Sequence, residues 1–216
     1  MAETSDGALQ PLSPADFQLP ADLLAPRLLG VIMCRCVAGK PRRARIIETE
    51  AYLGPRDLAS HSSRGRTRRT EVMFGPAGRA YVYFVYGMHD MFNIVCGTEG
   101  QAHAVLIRGA EPLDGWTADL SGPGKLARSF SITRADNGMD LTSGDIGFLL
   151  DQSYRPEIVR TARIGVDYAG HWSRRLLRFV DVASPSAARL AGVRAGKRNP
   201  ARTIHEASQA RRAMGR

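Results

Sequence analysis

Two short runs of alternating side chains constrain this chain more than anything else in it. They are 45–52 (RIIETEAY) and 79–85 (RAYVYFV), and the second runs through a tight Tyr86–Gly87–Met88 turn into 90–96 (DMFNIVC). Successive side chains of a strand point to opposite faces, so this period of two reads as β-structure. In 45–52 it places Ile46, Glu48, Glu50 and Tyr52 on one face and Arg45, Ile47, Thr49 and Ala51 on the other. Further strands are expected at 31–37, 103–109, 146–150, 157–163 and 176–182, the first joined to 45–52 by the turn AGKPRR. Helices are few. One is expected over 21–30, capped by Ser13 or Asp22, limited by Pro26 and stopped at Gly30. Others are expected at 67–74, 121–132 and 185–191. The strand–helix–strand alternation of a doubly wound fold is missing. The expected class is therefore α+β, a single domain with a mostly antiparallel, curved β-sheet and a few flanking helices. Residues 1–12 read as a disordered leader, 13–183 as the domain and 184–216 as a basic, flexible C-terminal tail.

Charge narrows the partners. The chain has 216 residues and a formal net charge of +9. A protein this basic usually meets an acidic partner, most often nucleic acid. The charge is uneven: residues 187–216 hold eight Lys and Arg against Glu206 alone, and a second excess lies in the loop 64–69 (RGRTRR). Three cysteines, Cys34, Cys36 and Cys96, make neither a disulfide framework nor a paired zinc signature, and read as buried free thiols. No apolar run approaches the ~20 residues of a membrane span. A cytoplasmic location is expected.

The residues then meet a resemblance. IIETEAYLG (46–54), His61, RGRT (64–67), MFGPAG (73–78), YVYFVYGMHDMFN (81–93), VLIRGAEPL (105–113), SGPGKL (121–126) and RIGV (163–166) occur in that order. In order and spacing they resemble the alkyladenine (3-methyladenine) DNA glycosylase family, over roughly residues 15–182. The resemblance implies a base-excision repair enzyme that flips damaged purines from duplex DNA and hydrolyses the N-glycosidic bond. It implies no cofactor and no metal. The expected partner is double-stranded DNA containing damaged purines, met by a monomer.

The site residues are expected as follows. Glu50 is the general base: breaking a base–sugar bond needs an activated water at C1′ and a stabilised oxocarbenium-like centre, and one carboxylate serves both. Glu48 is read as structural, because two carboxylates on one strand face cannot flank a bond from opposite sides. By resemblance, Arg108 and the backbone carbonyl at Ile164 help hold the water. Arg108 is also expected to keep Glu50 ionised by lowering its pKa. Tyr52, His61 and Tyr83 form the base pocket, where a purine made cationic by alkylation gains cation–π attraction. Asn93 discriminates against the amino group of guanine. Tyr86, with Met88 beside it, is the wedge that fills the gap left by the extruded base. Arg64, Arg66, Arg68, Arg69 and Lys125 contact phosphates. Arg68-Arg69-Thr70 stands where the family usually carries Pro-Arg-Asn. No Walker loop, dinucleotide-binding glycine motif or deaminase zinc spacing is present. No lysine in ETEAY offers a Schiff base, so a monofunctional enzyme is expected. A non-catalytic nucleic-acid-binding module explains the charge and aromatics equally well but leaves the two glutamates idle. A carbohydrate hydrolase using Glu48 and Glu50 is a further alternative.

Overall fold

One long strand positions everything else. In the computed structural model, which describes residues 9–85 and 87–190, β3 runs over Lys40–Leu53. One edge of β3 pairs with β6 (His103–Pro112). The other is shared: β2 (Ile32–Val37) takes its first half and β9 (Arg178–Asp181) pairs at Glu48–Glu50. Outside β6 lie β5 (His89–Cys96) and β4 (Ala80–Val85). Outside β2 lie β7 (Ile146–Asp151) and β1 (Leu9–Pro11), and β8 (Ile158–Thr161) flanks β9. The described residues thus form one open sheet of nine strands, and each of these strand pairs is antiparallel. The α+β class is as the sequence implied.

Both faces of β3 are covered, so its middle is buried from Ile46 to Ala51. On one face Ile46 and Ala51 join the main core with Phe17, Phe92, Phe130 and Phe179. The helix α1 (Ala21–Arg27) closes this side, and Thr49 Oγ1 donates to the Ala25 carbonyl at 2.9 Å. On the other face Ile47 packs with Val180 and with Ala187 of α3 (Pro185–Leu190). Ile46 and Glu48 therefore do not share a face as strict alternation requires. The register shifts twice here: Ile46 pairs Ala110, Glu48 pairs Gly109 and Thr49 pairs Ile107. Ile47 and Arg108 are each left unpaired as extra residues, one on each strand. Such bulges bend a strand and re-aim its side chains.

Other boundaries also differ. The turn before β3 is only Ala38–Gly39, both at positive φ (50° and 75°), the signature of a tight hairpin. Lys40–Arg43 belong to the strand. Ser13 caps a 3₁₀ turn over Pro14–Gln18 through a capping box with Asp16, and α1 starts after Pro20. The expected helix at 67–74 is one 3₁₀ turn, Glu71–Phe74, and that at 121–132 is α2, Pro123–Ser129. Leu9–Pro11, read as part of a leader, are paired to β7. Cys96 is buried, but Cys34 is only partly so and Cys36 is exposed, because β2 leaves the core after Met33. Most of the basic tail, from residue 191 on, lies outside the described residues. Among the described residues no helix is long and apolar enough to cross a membrane.

Candidate active site

Glu50 is fully buried near the end of β3, and its carboxylate is held from three sides. Oε1 accepts the Ile164 backbone N–H at 2.8 Å, and Oε2 accepts the Tyr52 hydroxyl at 2.9 Å. Arg108 Nε lies 3.5 Å from Oε1. The guanidinium comes from the bulged position on β6, which accounts for its reach. The same Nε donates to Glu48 Oε1 at 3.0 Å, and Arg178 Nε donates to that oxygen at 2.6 Å. Glu48 is thus tied to two arginines, a role for ion pairing rather than proton transfer. The expected effect of Arg108 on Glu50 needs correcting. Arg108 does pull the Glu50 pKa down, as do the two hydrogen bonds, but burial outweighs them and the net shift is upward.

Beside this carboxylate opens a cavity of about 330 Å³, lined by Tyr52, His61, Tyr81, Tyr83, Asn93 and Arg108 among others. That is at the small end of ligand pockets and suits one flat ring system. The His61 and Tyr83 rings meet edge to face with centroids 4.5 Å apart, and Tyr81 lies 5.3 Å from Tyr83. His61 Nδ1 and the Tyr81 hydroxyl are 2.9 Å apart. Burial first, then Arg69 and Arg64, hold the His61 pKa down at about 4, so the ring is neutral at neutral pH. Asn93 Nδ2 donates to the carbonyls of Tyr81 and Met91, which fixes the amide in the wall.

Tyr52 is fixed by a buried pair that sequence reading missed. Arg163 and Asp57 meet through two hydrogen bonds of 2.5 and 2.8 Å, with both side chains inaccessible. The Arg163 guanidinium stands 4.7 Å over the Tyr52 ring and also donates to the Ala51 carbonyl. Asp57 in turn accepts the N–H groups of Leu53 and Ala59, closing the loop after β3. The next residue after Arg163 is Ile164, whose N–H reaches Glu50, and Gly165 then turns at φ 74°. The motif RIGV at 163–166 was the available signal, but a lone arginine there reads as surface charge. Tyr81 is not among the residues expected from the sequence, although it sits two residues from Tyr83 on the same strand face. Exposed Tyr168, also at the cavity, had no pattern around it.

The expected DNA-facing residues are scattered in their engagements. Met88 stands 64 % exposed at the β4–β5 turn, and Tyr86 lies outside the described residues. Arg64, Arg66, Arg68 and Arg69 are all exposed. Arg66 covers Phe74, while Arg69 stands 5.1 Å over Tyr83. Thr70, in place of the usual asparagine, is buried: its hydroxyl donates to the Gly65 carbonyl and accepts the Thr67 N–H, which ties the loop shut. Lys125 is paired with Asp119 at 2.7 Å. Gly124 before it admits no side chain, since a Cβ there would lie 2.8 Å from the His89 ring. Among the described residues no group of three or more His, Cys, Asp or Glu gathers to hold a metal.

An ion-held carboxylate at an aromatic slot is an arrangement several hydrolases could use, and comparison with known proteins decides among them. The profile of the family described as methylpurine-DNA glycosylase matches residues 15–185. The chain belongs to that family. An Anaeromyxobacter sp. (strain Fw109-5) protein is 48 % identical over 153 residues, 70 % of this chain and 79 % of its own length. A Methanocella arvoryzae protein is 41 % identical over 195 residues, 84 % of this chain and 98 % of its own. One from Myxococcus xanthus is 44 % identical over 167 residues, 76 % of this chain and 86 % of its own. All three carry the name "Putative 3-methyladenine DNA glycosylase". The protein is thus a DNA glycosylase, a base-excision repair hydrolase of N-glycosyl bonds whose substrate is DNA.

Proposed function

We propose that this methylpurine-DNA glycosylase removes alkylated purines such as 3-methyladenine and 7-methylguanine, and hypoxanthine and ethenoadenine as neutral flat lesions, from duplex DNA. The single observation that carries the reading is the Glu50 carboxylate, gripped by Tyr52 and Ile164 beside Arg108 at a slot sized for one base. A damaged purine leaves the stack, at a cost of ~3 kcal/mol, and enters between Tyr52, His61 and Tyr83. Met88 and Tyr86 fill the gap, and the exposed arginines of the 64–69 loop hold the phosphates. Glu50 takes a proton from a water as its oxygen bonds to C1′. The C1′–N bond breaks, its electron pair leaves with the base, and the product is an abasic site. Negative charge on Glu50 also steadies the positive C1′ centre. Arg108 and Ile164 keep the carboxylate aimed. One flipped base needs one pocket, so the protein acts as a monomer, with a hydrolytic mechanism that leaves the strand intact.

The test is a duplex panel with one alkylated, deaminated or etheno-modified purine per strand, assayed for alkali-labile sites. Breaks at the lesion only after alkali are expected. Tight lesion binding without such sites indicates a binding module instead, and breaks before alkali overturn the monofunctional mechanism.

A further inference from the structure

The 64–69 loop brings a cation to the wall of the base pocket. The Arg69 guanidinium lies 5.1 Å from the Tyr83 ring centroid. Tyr83 lines the cavity, as does Tyr81, whose hydroxyl Arg69 also reaches. Its influence reaches further in, since together with burial and Arg64 it disfavours a proton on His61, which packs on Tyr83. The slot that an alkylated, cationic purine would enter therefore already has a positive charge across one ring.

We propose that Arg69 sets lesion specificity, because its charge across Tyr83 opposes a cationic purine in the slot while leaving a neutral one unaffected. This role of Arg69 rests on the proposed flipping of a purine into the cavity. An aromatic face attracts a cation through its quadrupole. With a cationic purine also against Tyr83, the two charges stand about one Debye length apart and still repel, because the slot between them is partly shielded from salt. Arg69 is exposed, so solvent screens the repulsion to an effect on the order of five-fold. A plain phosphate contact behaves differently: it strengthens binding of every duplex by the same factor.

The experiment compares binding, not turnover. In a Glu50→Gln background, competition binding is measured for two duplexes of one sequence, one carrying 7-methylguanine and one hypoxanthine. Adding Arg69→Gln is expected to move the affinity ratio toward 7-methylguanine on the order of five-fold. Arg69→Lys, which keeps the charge, is expected to hold the ratio near its starting value. The ring resonances of His61, followed by NMR without DNA, are expected to titrate at higher pH in Arg69→Gln, which also reports a folded protein. Equal weakening of both duplexes, or an unmoved His61, overturns the proposal. Failure of the Glu50 mechanism shows separately, as base release by the Glu50→Gln parent.

Discussion

At the scale of single residues, the site sets a carboxylate against its own solvation. Glu50 is buried with one cation near it, and its pKa ends above the ordinary carboxylate value. A raised pKa makes a stronger base, provided the group is ionised. Single-turnover base release should therefore fall with unit slope as pH drops through a midpoint above 4.5, and the wild-type limb should vanish in Glu50→Gln. The same shift affects stability. The folded state binds Glu50's proton more readily than the unfolded chain, so stability is lost as pH rises through the window between the two pKa values. Glu50→Gln should consequently melt at or above the wild-type temperature at pH 7, with the gap closing at low pH; a lower melting temperature at pH 7 contradicts the burial argument. His61 runs the other way. Its folded pKa of about 4 lies below 6.5, so stability is present above 6.5 and is lost as pH falls from there toward 4. Its NMR titration should show a neutral ring down to about pH 4.

At the scale of elements, the bulges on β3 and β6 and the contact of α2 on β5 do the positioning. Gly124 lets α2 lie against the His89 ring, with no room for a methyl group. Gly124→Ala should destabilise by about 2 kcal/mol, and the penalty should shrink in a His89→Ala background, which removes the ring but keeps the Cβ 3.0 Å away. A denaturant double-mutant cycle measures this; equal costs in both backgrounds contradict the contact. Arg163→Ala strands the buried Asp57 carboxylate and should cost about 4 kcal/mol by the same measurement. At the first hairpin, Ala38→Asn suits a positive φ and should stabilise by roughly 0.5 kcal/mol. Much of this layer was legible from the sequence. Period-two alternation marked β4 and β3, and the shared face of Glu50 and Tyr52 followed from their spacing. The bulges were not, because alternation carries no sign of an extra residue until the partner strand is known. Lys40, Pro41 and the arginines after them look like a turn, yet they pair with β2. Arg163 and Asp57 lie 106 residues apart in sequence, and only the fold joins them.

At the scale of the whole molecule, much of the net charge lies in sequence beyond the residues that carry the chemistry. Residues 191–216 contain seven Lys and Arg against one Glu, whereas Glu50, Arg108 and the aromatic slot all lie within 15–185. Ending the chain after residue 190 should lower affinity for undamaged duplex and flatten its dependence on salt, since fewer counterions are released. The single-turnover rate on a saturating lesion duplex should not change. A salt titration of binding beside a rate measurement separates the two effects; a slower rate at saturation places the tail in the active site.

The central claim is that Glu50 performs the hydrolysis in a pocket that binds the flipped base without it. Single-turnover release of hypoxanthine from a saturated duplex, measured for wild type and Glu50→Gln alongside the dissociation constant, tests it most directly. The expected result is a rate lower by about a hundredfold or more, with affinity for the lesion duplex retained. An unchanged rate contradicts the account.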